Sequence, residues 1–345
     1  MKNVFYFHTI SSIGGCESWF WYLSKLYKDF VIYYKLGSEE QIKRLAKNVE
    51  VRKYKEGEII NCENFFCCYN PDILDFVNAK MYAHVIHCDY KKVTFKPIMN
   101  DKFDKYIAVS KLAGESFKEI TGTPYELIYN PIKIDIPKVE KYNDGKLHLI
   151  SATRLTKEKG LNRMIKLATL LDIKHIPYEW VVYTNRKRRA IGNNVIYKEQ
   201  KMDILEDIAK ADALVQLSDC EAFCFSIVES ALVGTEIICT DLPVLEELGI
   251  KDHVNAYICD FNMNNVPIND IANKRLEFKY QPPKSEWDRY LSNKGDYNPK
   301  DKAKVRVKRG YTDLEIGRHL DKLEEVMMTK ERISLLECKG LVERV

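Results

Sequence analysis

The chain has no run of about 20 apolar residues, so nothing in it reads as a membrane-spanning helix. Its ten cysteines include no C-x-x-C pair, which removes the usual zinc spacing and leaves reduced, mostly buried thiols as the expectation. G-x-G-x-x-G is absent, and with it the dinucleotide fingerprint. There is no Asp-x-Asp pair to hold a catalytic cation, so no metal and no cofactor are expected. Charge of one sign is scarce too. A net charge of +4 over 345 residues does not suit a dedicated nucleic-acid binder. The first ten residues lack a basic leader and a cleavage pattern, and read as a β-strand rather than a signal peptide. A cytoplasmic protein is the expectation, with peripheral contact at the inner face of the membrane left open.

What the chain does have is alternation. Short apolar runs exchange with helical patterns, which predicts a doubly wound α/β protein, and the length calls for two domains. Val4–Ile10, Val31–Leu36, Asn64–Tyr69, Ala83–His87 and Tyr106–Ser110 read as strands of the first domain. Glu17–Leu26 reads as a helix, and Ser110 as the cap of a second one. Pro131–Lys146, with its prolines and Asp144-Gly145, reads as a connection. Beyond it lie strands at Leu147–Thr153, Tyr178–Tyr183, Asn194–Tyr197, Ala213–Gln216 and Glu236–Thr240. Residues 281–310 look irregular, and Ile316, Leu320, Leu323 and Met327 suggest a helix near the end. The expected domains are 1–136, a linker over 137–146, 147–310, and C-terminal helices over 311–345.

Four places could carry chemistry. Arg154-Leu155-Thr156-Lys157-Glu158-Lys159-Gly160 follows a strand and opens a helix. Two cations beside free helix N–H groups suit a diphosphate, although a solvated basic turn explains the same residues. Glu221 and Glu229 stand eight residues apart around Ala222-Phe223-Cys224-Phe225-Ser226. A carboxylate accepts paired hydrogen bonds from a sugar or ribose diol; a helix-terminal charge and one buried carboxylate are the plainer alternative. Gly14-Gly15, after the first strand, would let backbone approach a ligand or simply make a tight turn. His87 ends an apolar strand and could reach a cleft, though either His84 or His87 alone is better explained as structural.

In this order the pieces resemble the retaining GT-B glycosyltransferases of glycosyltransferase family four. The likeness rests on Gly14-Gly15, His87, Ser110, Asn130, Arg154 with Lys159-Gly160, Glu221 with Glu229, and Gly234-Thr235, over about residues 1–260. It implies two Rossmann-like α/β domains facing a central cleft. Arg154 and Lys159 would hold the donor diphosphate and Glu229 the ribose. Glu221 would take the transferred sugar, with the backbone of residues 222–226 facing the donor, and His87 would contact the sugar from the other domain. Gly14 and Gly15 would line the donor. The expected activity is metal-independent transfer, with retention, from a nucleotide-diphosphate sugar to a glycan, lipid-linked or polymer acceptor. The expected setting is bacterial or phage surface glycan, capsule or cell-wall assembly. A non-catalytic partner of the same fold is the competing reading. The family usually has Gly where Ala222 and Cys224 stand, and Asn-Gly where Asn130-Pro131 stands. The added Cβ atoms narrow the space for a donor. The lysines at 91, 92, 96, 102 and 105, interleaved with Tyr90, Phe95 and Phe103, could touch an anionic surface or polymer, or form a solvated loop, as could Arg186–Arg189.

Overall fold

The computed structural model describes residues 1–185, 190–294 and 302–345. Arg186–Arg189, and the Gly295 and Pro299 of the irregular stretch, lie outside the described residues.

The first sheet comprises β1 (Asn3–Phe7), β2 (Phe30–Tyr34), β3 (Glu50–Lys53), β4 (Asn64–Cys68), β5 (Met81–Ile86), β6 (Lys105–Ala108) and β7 (Glu126–Leu127). Their spatial order is β7-β6-β5-β4-β1-β2-β3, every pair parallel. The second sheet comprises β8 (Leu147–Ala152), β9 (Tyr178–Tyr183), β10 (Val195–Lys198), β11 (Ala213–Gln216), β12 (Glu236–Thr240) and β13 (Ala256–Cys259). It is also parallel, in the order β10-β9-β8-β11-β12-β13. Parallel sheets are covered on both faces, so their strands need unbroken apolar runs rather than alternation. Val4-Phe5-Tyr6-Phe7 and Phe65-Phe66-Cys67-Cys68 satisfy this and are buried throughout.

In each sheet the strand order reverses beside the first strand. Loops leaving the carboxyl ends of the strands flanking that reversal form the crevice where such folds bind ligands. After β1 comes the Gly14-Gly15 turn and α1 (Gly15–Leu26). After β8 comes the Arg154–Gly160 loop and α4 (Leu161–Ile173); after β11 comes the Ser218–Cys224 loop and α6 (Phe225–Leu232). The remaining helices are α2 (Glu39–Leu45), α3 (Lys111–Thr121), α5 (Leu205–Lys210), α7 (Ile268–Asn273) and α8 (Lys330–Cys338). Ser110 caps α3, its hydroxyl accepting from the Ala113 amide at 3.1 Å, as the sequence predicts.

Two features of the C-terminal third correct the sequence reading. The chain returns to the first sheet well before residue 311. Trp287 is fully buried among Phe5, Trp19 and Phe66, with ring centroids 5.4–5.7 Å away. The Asn3 side-chain amide donates to the Tyr290 carbonyl, and the Ser292 amide to Asp29, at 3.3 and 2.7 Å. Thus part of the 147–310 segment belongs physically to the first sheet's core.

The expected C-terminal helices are also largely strands. Lys302–Val307, Glu325–Thr329 and Val342–Arg344 form an antiparallel sheet, and Tyr311–Asp313 pairs with Arg318–Leu320. Of the supposed helical face, Leu320 is buried but Leu323 is 66% and Met327 53% exposed. A positive φ at Gly317 and Leu323 turns the chain at both places, and a helix cannot run through such turns. Only the nine-residue α8 is helical. It lies on β3, where the Ser334 hydroxyl donates to the Val51 carbonyl at 2.6 Å.

Trp287→Ala tests the return segment. Removing a fully buried indole should cost about 3–5 kcal/mol, read as a lower denaturant midpoint with an unchanged slope. A loss under about 1 kcal/mol would mean the segment is not integral to this core.

Candidate functional site

The site is assembled by two loops at the carboxyl ends of β8 and β11. Gly160 ends the first loop with φ +80°, and a Cβ there would lie 1.9 Å from the Leu217 carbonyl oxygen. Only glycine permits this approach. The loops are then stitched together. The Asp219 amide donates to the Glu158 carbonyl at 2.8 Å, and Arg163 donates to the Leu217 carbonyl at 2.8 Å while pairing with Asp219.

This stitching sets Lys159 against Glu221, Nζ to Oε1 2.7 Å. The same Oε1 accepts from Gln216 Nε2 at 2.9 Å and from the Ser218 hydroxyl at 2.8 Å. Three donors thus fix one carboxylate oxygen. Among the described residues no hydrogen bond reaches Oε2, which is left to accept from a ligand. Burial opposes the Lys159 charge, but the adjacent Glu221 carboxylate overrides it and holds the ammonium above the usual lysine range. Lys159 is therefore a cation at any working pH.

Cys224 precedes α6 with φ +65°, a conformation natural to glycine. No side-chain hydrogen bond caps α6, so its first amides lack intrahelical partners. Burial, reinforced by Glu221, pushes the Cys224 thiol up to about 12, so it is no thiolate nucleophile. Phe223 and Phe225 are buried side chains, their rings 5.0 Å apart; only their backbone is free to meet a ligand. Ala222 packs on the core of the first sheet, across the cleft.

Glu229 lies one turn further along α6. The hydroxyl of Tyr22, on α1 of the opposite domain, donates to its Oε1 at 2.6 Å. Tyr22 also stacks on Phe225, with centroids 5.5 Å apart and planes at 23°. Burial raises the Glu229 carboxyl above its usual range, opposed by the Tyr22 hydrogen bond and the Arg44 charge.

Other expected residues are placed less centrally. Arg154 has an exposed side chain paired to Glu158 at 3.6 Å, and its charge lies near enough to Lys159 to oppose that ammonium. Gly14 is extended rather than left-handed, and its role is space, because a Cβ would lie 2.3 Å from Glu17 Oε2. Gly15 has open space where a Cβ would stand. His87 sits edge-on to Trp19 at 4.8 Å and stacked on Tyr69 at 6.0 Å. Burial lowers its pKa to about 3, so it stays neutral and does not serve as an acid–base group near pH 7. Its Nε2 is buried without a protein partner, which leaves it a hydrogen bond to offer. Among the described residues no three His, Cys, Asp or Glu side chains converge as a metal-ligand set. No described helix is long and apolar enough to cross a membrane.

Sequence reasoning missed Tyr22, Gln216, Ser218 and the Arg163–Asp219 pair. Tyr22 and Gln216 stand inside apolar runs and carry no signal of their own. Ser218 and Asp219 adjoin Glu221, and their polarity directly after an apolar strand was a readable cue.

Residues 132–280 match the family profile of glycosyl transferases group 1, a span that contains both stitched loops. No match is found among the curated proteins. Solved structures share the fold over most of their length. HepE of Anabaena in complex with UDP-glucose is 16% identical with a TM-score of 0.61, over 79% of this chain and 88% of that one. The lipopolysaccharide outer core galactosyltransferase WaaB is 13% identical at 0.56, over 81% and 92%. A glycosyltransferase from Rickettsia africae ESF-5 is 12% identical at 0.55, over 78% and 87%. The fold is GT-B, and the profile match supports glycosyltransferase as the enzyme class of the segment carrying the site.

Two measurements check this geometry. Gly160→Ala should destabilise the protein by roughly 2 kcal/mol or more, because neither the positive φ nor the Leu217 carbonyl accommodates a Cβ. A melting temperature equal to wild type would contradict the close approach. Glu229→Gln removes an ionisation that burial opposes. A raised folded-state pKa gives stability that is present at low pH and lost as pH rises through that pKa. The variant should therefore melt higher than wild type at pH 8, with the gap closing by pH 4; a gap that widens on acidification reverses the sign.

Proposed function

We propose that the protein is a retaining, metal-independent glycosyltransferase that moves a sugar from a nucleotide-diphosphate donor to an acceptor hydroxyl. The carrying observation is the Glu221 carboxylate. One of its oxygens is fixed by Lys159, Gln216 and Ser218, and the other is free beside the uncapped start of α6.

In this reading the donor diphosphate lies between Lys159 and the first amides of α6, with Arg154 swinging in from its exposed position. Charge develops on the diphosphate as the glycosidic C–O bond breaks. A buried ammonium and preoriented N–H groups stabilise that charge without reorganising. These cations do the work a metal would otherwise do. Glu221 is held too rigidly to act as a nucleophile; its free oxygen accepts from the sugar hydroxyls and His87 hydrogen-bonds from the far side. The acceptor hydroxyl attacks on the face the leaving group departs from, and its proton passes to the β-phosphate, so configuration is retained. Glu229 accepts from the ribose diol.

The acceptor is a surface glycan, lipid-linked sugar or polymer, in a bacterial or phage setting. WaaB, which shares the fold, bears a lipopolysaccharide name. The protein would act in the cytoplasm, at or near the inner membrane face. Of the five N-domain lysines, 91, 102 and 105 are paired to Glu119, Asp75 and Glu126, which leaves Lys92 and Lys96 for an anionic acceptor. Cys224 favours a second reading, a non-catalytic partner, because it puts a side chain at a left-handed position before α6 that suits glycine and narrows the space for a donor.

A screen of UDP-, GDP- and ADP-sugars, read by released nucleotide, separates the two. Turnover on one donor that falls about 100-fold or more in both Glu221→Ala and Lys159→Ala is the expected outcome. Wild-type turnover in both variants ends the catalytic assignment. Failure of the folded wild type to bind any nucleoside diphosphate supports the partner role.

A further inference from the structure

We propose that the N-terminal domain completes the nucleoside subsite: Tyr22 positions Glu229, and Arg44 selects a base that presents a ring carbonyl beside an N–H. This rests on the reading that Glu229 holds the donor ribose.

A small, open pocket adjoins Glu229 and is walled by both domains. Met202 and Ile204 line it from the second domain, Trp21, Tyr22 and Arg44 from the first. In a nucleoside diphosphate the ribose separates the diphosphate from the base. With the diphosphate at the start of α6 and the ribose one turn along, the base extends beyond Glu229, away from Lys159. The pocket is the space on that side.

Its chemistry is directional. The Arg44 guanidinium sits over Trp21, its Cζ 4.1 Å from the ring centroid. Among the described residues it makes no salt bridge within 4.0 Å; the Asp203 and Glu229 charges act on it from farther off, and the Trp21 ring holds it in the pocket wall with its donors unspent. Guanidinium donates only. Asp203 lies in the same lining, held by the Leu205 amide at 3.2 Å, and can only accept when ionised. A donor and an acceptor side by side complement a carbonyl next to a ring N–H. Uracil and guanine present that edge; adenine presents an amino group beside an unprotonated ring nitrogen.

Tyr22 acts through Glu229. Its hydroxyl takes one lone pair of Oε1, and its ring is clamped on Phe225, so the carboxylate is aimed only when the two domains are together. Donor binding and domain closure are then one event.

The test is calorimetry of the full chain with UDP, GDP and ADP, together with donor KM and kcat from nucleotide release. Wild type should bind UDP or GDP at least about 10-fold more tightly than ADP. Arg44→Gln should abolish that preference by weakening the favoured nucleotide about 10-fold while leaving ADP unchanged, and Arg44→Lys should behave alike because it keeps charge but loses the planar fork. Tyr22→Phe should raise donor KM several-fold, by more than it lowers kcat. Wild-type selectivity in both Arg44 variants, a preference for ADP, or a Tyr22→Phe variant with wild-type KM overturns the proposal while the glycosyltransferase reading stands. If wild type binds none of the three, both fall.

Discussion

The approach of the Gly160 backbone to the Leu217 carbonyl is the constraint on which the rest depends. It brings the turn after β8 onto the end of β11, so that two segments about 60 residues apart become one wall. Arg163, Asp219 and the Glu158 carbonyl lock that wall. Lys159 and Glu221 are then opposed without either having to search for the other. A surface ion pair of this kind contributes little, but this one is largely buried and shares Oε1 with two neutral donors. The result is a cation and a carboxylate whose positions are set before a ligand arrives.

The second level of organisation is the grip between domains. Glu247 of the second domain accepts from the Lys111 and Leu112 amides at the start of α3, at 2.6 and 3.0 Å. A carboxylate from one domain thereby satisfies helix donors of the other. Tyr22 with Glu229 and Ala222 on the first core add contacts closer to the cleft. The return of Trp287 to the first core ties the far end of the second domain down as well. Polar clasps of this sort, next to a cleft, can exchange partners when domains move; the indole cannot without unfolding its surroundings.

Much of the fold was legible because parallel strands declare themselves as uninterrupted apolar runs. Tyr178–Tyr183, Ala213–Gln216 and Glu236–Thr240 coincide with the strands observed. β3 was not legible. Glu-Val-Arg-Lys is an edge strand whose Glu50 pairs with Arg52 two residues on and with Arg344, 294 residues away in sequence. The C-terminal hairpins imitate a helix by spacing alone, and their turns rest on a positive φ at Leu323 that no leucine announces. In the site, Lys159 and Glu221 were readable because charge in a loop after an apolar strand is conspicuous, and Glu229 because it is the lone charge in the apolar helix that follows. Tyr22 was not, because an aromatic in an apolar helix looks like core until another domain places a carboxylate on its hydroxyl.

The most direct test of the account is a crystal structure of the wild-type protein with a nucleoside diphosphate bound. The account requires diphosphate oxygens within hydrogen-bond distance of Lys159 Nζ and the first α6 amides, with the ribose hydroxyls on Glu229. A nucleotide held elsewhere, with Lys159 and Glu221 untouched, would contradict it.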